Sequence, residues 1–128
     1  MIEGKYQTRP AFHGCLAMLS EKDRPSAIFA ANDMMALGVM DAARTLGMSI
    51  PEDLSLVGFD DMHGAETTLP PLTTVRQHSF LLGKIASQYL LETIDGPEKA
   101  RIHHEKLPAE LVVRSSTGAC PASREATS

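Results

Sequence analysis

Apolar residues recur at helical spacing between Pro10 and about Lys22, at Phe12, Cys15, Leu16, Met18 and Leu19. That pattern predicts an amphipathic helix with Pro10 in its first turn, where a proline is tolerated. Asp23-Arg24-Pro25 breaks the pattern, and Ser26 to Ala31 then forms a short continuous apolar run. Such a run predicts a strand buried on both faces. Asn32-Asp33 follows, and either side chain is suited to cap a helix. The next helical pattern extends from about Met34 to Leu46, with Gly47 at the position of a C-terminal glycine cap and Pro51 preventing resumption. Asp53 to Phe59 predicts a second buried strand, closed by Asp60-Asp61. Two buried strands joined by one helix imply a parallel crossover unit.

Beyond it, Met62 to Leu69 reads as a loop, Pro70-Pro71 as a stiff connector and Leu72 to Val75 as a short extended piece. Leu81, Leu82, Ile85, Tyr89, Leu90 and Ile94 form the apolar stripe of a long helix from about Ser79 to Thr93, stopped by Gly96-Pro97. Ile102–Leu107 and Leu111–Val113 read as extended pieces on either side of Pro108. From Ser115 the residues are small, polar and without period, the pattern of a frayed tail. The whole is an α/β pattern built on a parallel sheet.

Charge narrows the possible functions. The 128 residues carry a formal net charge of −4, and the twelve Lys and Arg are scattered singly. A DNA-binding module normally presents a basic face to the phosphates, so direct nucleic-acid binding by this stretch is not expected. Cys15 and Cys120 form no CxxC and have no histidine at ligand spacing, which points to cytosolic thiols rather than a disulfide or a metal site. There is no GxSxG, Walker loop, GxGxxG or HExxH, so neither an enzyme nor a cofactor is expected. The adjacent His103-His104 would point to opposite faces of an extended segment, as surface residues rather than one metal site. No run has the length of a signal peptide or membrane span, and the chain reads as cytosolic, without a membrane partner.

Candidate chemistry sits where the two strands end. In an open parallel sheet, ligands bind beyond the carboxyl ends of the strands. Asn32-Asp33 and Asp60-Asp61 should therefore share one sheet edge. An amide and a carboxylate there can hold the hydroxyl or amine groups of a small polar ligand. The same residue types also serve as caps and turn formers; on that reading Asp33 is a cap and Asp61 a turn residue.

Four segments carry a family resemblance. Residues 24–38 (RPSAIFAANDMMALG), 50–61 (IPEDLSLVGFDD), 70–77 (PPLTTVRQ) and 107–116 (LPAELVVRSS) resemble, in order and spacing, segments of the lactose-repressor/galactose-repressor (LacI/GalR) regulators. The likeness spans about residues 2–117. It implies a type I periplasmic-binding-protein-like fold, of which this chain holds the C-terminal portion. On that basis 1–73 and 110–118 belong to the C-terminal subdomain, 74–109 crosses to the N-terminal subdomain, and 119–128 is a disordered tail. The resemblance assigns effector contact to Asn32 and Asp60, with Tyr6 walling the pocket. It assigns dimer contact to the helix after Asn32-Asp33 and the loop after Asp61, hence to Met34, Met35, Leu37 and Thr68. The expected partners are a small-molecule effector such as a sugar or polyol, and a second copy of the chain. Operator DNA is expected only through a headpiece lying outside this sequence. A periplasmic-type sugar-binding protein and a truncated remnant without activity are the alternatives. One departure stands out: Pro10-Ala11 replaces the family's usual Ser-Gly at the start of the first helix.

Overall fold

In the computed structural model, residues 3–96 and 102–120 are described. The chain forms α1 (Thr8–Leu19), β1 (Ala27–Phe29), α2 (Asp33–Thr45), β2 (Ser55–Asp60), a single 3-10 turn (Ala65–Thr67), β3 (Thr73–Arg76), α3 (Ser79–Asp95) and β4 (Glu110–Val112). The strands form one sheet in the order β1-β2-β3-β4. β1 and β2 run parallel, with Phe29 opposite Val57; β2 and β3 run parallel, with Asp60 opposite Arg76. β4 returns antiparallel to β3, pairing Glu110 with Arg76. The fold is therefore α/β with a sheet that is mainly parallel.

The periodicities have physical outcomes. α1 starts at Thr8, which puts Pro10 within its first turn, and Gln7 supplies no side-chain cap. α1 and α2 pack against each other and α2 packs on β2. Cys15, Leu19, Val39, Leu54, Leu56 and Leu72 lie in one buried cluster between them. Burial pushes the Cys15 thiol pKa up, so this sulfur is held as a neutral apolar group. Gly47 ends the second helix region with a φ of +68°, the left-handed geometry that glycine adopts without strain.

Three expectations are corrected. β1 is not buried on both faces: it is the edge of the sheet, and Phe29 is 63% exposed. Ile102–Leu107 forms no strand; the extended return is made by β4 alone among the described residues. Nor does the chain fray from Ser115. Ser116 is fully buried, donates from Oγ to the Leu56 carbonyl (2.6 Å) and accepts from the Thr73 amide (2.8 Å), while its own carbonyl accepts from the Leu56 amide (2.7 Å). The serine thus stands between β2 and β3 where their direct pairing stops. Small size and a hydroxyl suited this slot, and polarity alone misread it as a tail. Ser116→Ala is expected to destabilise by about 2 kcal/mol, because two buried backbone groups lose their partner. An unfolding free energy lowered by less than about 0.5 kcal/mol in denaturant titration would contradict the role.

α3 has no buried residue, and Leu82 and Leu90 along its stripe are exposed. No helix among the described residues is long and apolar enough to cross a membrane.

Candidate functional site

The parallel register of β1 and β2 brings the ends of both strands to one edge of the sheet. Asn32 lies three residues past Phe29, and Asp60 three past its partner Val57, so the two follow the strands at the same level. Asn32 is the N-cap of α2: its Oδ1 accepts from the Met35 amide at 2.9 Å, and its Nδ2 donates to the Tyr6 carbonyl at 3.3 Å. One amide proton and one lone pair remain for another molecule. Asp60 has a φ of +115°, an uncommon conformation for a side-chain-bearing residue. Its Oδ1 accepts from Gln77 Nε2 on the segment after β3, and its Oδ2 has no partner among the described residues. Gln77 was not anticipated as a site residue from the sequence; its signals were its place directly after β3 and within the family-like segment 70–77.

The capping role predicted for Asp33 belongs to Asn32. Asp33 is the first residue of α2, fully buried, and accepts from Thr74 Oγ1 (2.6 Å) and the Met62 amide (2.8 Å). The positive end of the helix dipole lies beside it and favours an acidic group. Asp61 is more than a turn residue. Its carboxylate, 9% exposed, accepts from Arg76 Nε at 2.6 Å and Arg114 Nη2 at 2.7 Å. Burial opposes its ionisation, but the hydrogen bonds and charges of the two guanidinium groups prevail and hold its pKa below the usual aspartate value. The two arginines tie the end of β2 to β3 and to the segment after β4.

Tyr6 is 71% exposed with a φ of +54°, and it contacts Asn32 through its backbone rather than its ring. Of the expected subunit-contact residues, Met34 is exposed and Met35 and Leu37 are half-buried against the core. Thr68 Oγ1 lies within reach of the Ala65 and Pro70 carbonyls (3.0 and 2.8 Å). Leu37 and Thr68 share a small cavity of about 190 Å³ with Asp33 and Met62. A larger cavity, about 800 Å³, opens between β1, α1 and α2; it is lined by Cys15, Met18, Ile28 and Met35 and includes Tyr6, but neither Asn32 nor Asp60. Glu3 and Lys5 also line it, but most of its walls are apolar, unlike the strand-end edge with its amide and carboxylate. His103 and His104 are exposed, with His103 stacked on the Tyr89 ring at 3.8 Å. No group of three metal-ligating side chains occurs among the described residues.

A family profile described as a periplasmic binding protein-like domain matches residues 3–117. The chain belongs to this family, among the LacI-type regulators. It is 41% identical over 116 residues to an HTH-type transcriptional repressor PurR of Vibrio vulnificus, covering 91% of this chain and 34% of that protein. A dimeric lac repressor with a C-terminal deletion matches with a TM-score of 0.80 and 36% identity, over 91% of this chain and 42% of that one. A LacI-family regulator from Enterococcus faecium, solved with bound ribose, matches with a TM-score of 0.80 and 31% identity over the same shares. The chain therefore spans about a third of the length of the regulator it resembles in sequence. It corresponds to part of a LacI-family effector-binding domain.

Proposed function

We propose that this chain is the ligand-sensing and dimerising part of a LacI-type transcription regulator, binding a small polar effector such as a sugar or polyol. Asn32 and Asp60 are the effector contacts, with Tyr6 at the rim. The observation that carries the reading is the arrangement of Asn32 and Asp60: both end parallel neighbouring strands, and both keep unused hydrogen-bonding capacity. A ligand hydroxyl can accept from Asn32 Nδ2 while a second donates to Asp60 Oδ2. The E. faecium neighbour solved with ribose supports a sugar. Met34, Met35, Leu37 and Thr68 form the contact with a second copy, and operator DNA is engaged only through a headpiece outside these residues. The relatives are transcriptional regulators, which supports a role without catalysis or a cofactor.

Calorimetric titration with D-ribose tests the reading. Binding is expected, weakened at least tenfold by Asp60→Ala, since a ligand donor loses its charged acceptor. Asn32→Ala should weaken binding similarly and also cost about 1 kcal/mol of stability through the lost cap. Equal affinity in wild type and Asp60→Ala, or no heat at any sugar concentration up to 100-fold over protein, would contradict it.

A further inference from the structure

Thr74 is fully buried on β3, and its hydroxyl joins the two strand ends that carry the proposed ligand contacts. It donates to Asp33 Oδ1, the residue next to Asn32, and it accepts from the amide of Asp61, the residue next to Asp60 (3.3 Å). The other carboxyl oxygen of Asp33 accepts from the Met62 amide. A hydroxyl that donates once and accepts once satisfies both sides, whereas a methyl group can do neither. Room for the carboxyl group is left by Gly58 on β2: a β-carbon there would collide with Asp33 Oδ1. Thr74 on β3, Asp33 at the start of α2, and Asp61 and Met62 in the segment after β2 thus share one polar connection.

We propose that Thr74 and Asp33 are positioning residues that hold the Asn32 end of β1 against the Asp60–Met62 end of β2, so the effector-binding groups are set in place before ligand arrives. The backbone at Asp60 and Asp61 supplies the reason such a device is needed. Both residues have positive φ, and without a tether a segment in that conformation relaxes. A site whose polar groups are already ordered spends less of its interaction on ordering them. The inference rests on the ligand reading for its purpose, but its test uses no ligand, so failure of D-ribose to bind and failure of this connection are separate results.

Amide hydrogen exchange followed by NMR on the 128-residue chain, compared among wild type, Thr74→Val and Thr74→Ser, decides it. In Thr74→Val the Asp61 and Met62 amides are expected to exchange at least tenfold faster relative to the Leu56 amide, which is bonded to Ser116 deeper in the sheet. Thr74→Ser keeps the hydroxyl and should restore wild-type protection at Asp61 and Met62. Acceleration by one common factor at all three amides would mean ordinary loss of stability and would overturn the proposal. So would unchanged exchange at Asp61, or failure of serine to restore it. Should the valine variant not fold, the wild-type protein gives a second reading: the Thr74 hydroxyl proton should appear as a resolved, slowly exchanging resonance. A hydroxyl in fast exchange with water would equally overturn the proposal.

Discussion

Asp61→Ala is expected to destabilise the fold by about 3–4 kcal/mol. Its carboxylate is the shared acceptor of Arg76 and Arg114, and Arg114 is itself only 15% exposed. Removing one partner of a mostly buried pair leaves an uncompensated charge, at about 3 kcal/mol, discounted here because Arg76 reaches solvent. Alanine at a φ of +53° adds about 1 kcal/mol of backbone strain. Asp61→Asn tolerates the same backbone and should lose less, about 2 kcal/mol. The pH dependence follows from the direction of the shift. Asp61 has a lower pKa folded than unfolded, so the unfolded chain takes up its proton first as pH falls. Its stabilisation is complete above the unfolded value near 3.8 and is lost as pH drops through the lower folded value. Urea midpoints should therefore separate wild type from Asp61→Asn at neutral pH and converge toward pH 3. Parallel curves across that range would exclude the ion pair as the cause.

Gly38→Ala is expected to destabilise by about 3 kcal/mol, against the usual sign. In an exposed helix interior this substitution stabilises by about 1 kcal/mol. Here α1 and α2 cross so closely that a β-carbon at Gly38 would collide with the Thr8 carbonyl, 2.8 Å from the Phe12 amide and 3.0 Å from the Ala11 methyl. Two of those neighbours are backbone, which cannot turn aside, so one helix must shift. The shift would stretch the bond from Thr8 Oγ1 to the Met34 carbonyl, 2.9 Å, which joins the starts of the two helices. Thermal unfolding that shows Gly38→Ala as stable as wild type would refute the close crossing.

What was legible in the sequence was whatever periodicity or punctuation encodes. The stripe Phe12-Cys15-Leu19 gave α1, Gly47 gave the end of α2, and the apolar run before Asp60 gave β2. The sheet edge that joins Asn32 to Asp60 followed from parallel pairing alone. Contacts between residues distant in sequence were not legible. Asp33 reads as a cap in any local window; its bond to Thr74, 41 residues away, exists only because β3 lies beside β2. Ser116 belongs to no period and fills its slot through tertiary geometry, 60 residues from Leu56. β1 looked like a doubly covered strand because apolar composition records hydrophobicity, not which neighbours the described chain supplies.

The proposed function requires a small polar ligand to be held at the strand-end edge. Backbone amide NMR of the wild-type chain titrated with D-ribose tests it most directly, because the molecule offers two separate places to bind. Saturable shifts are expected at Asn32, Asp60, Asp61 and Gln77, with Cys15, Met18 and Ile28 unmoved. Shifts centred instead on Cys15, Met18 and Ile28, which line the larger apolar cavity, would place the ligand between β1 and the helices and contradict it.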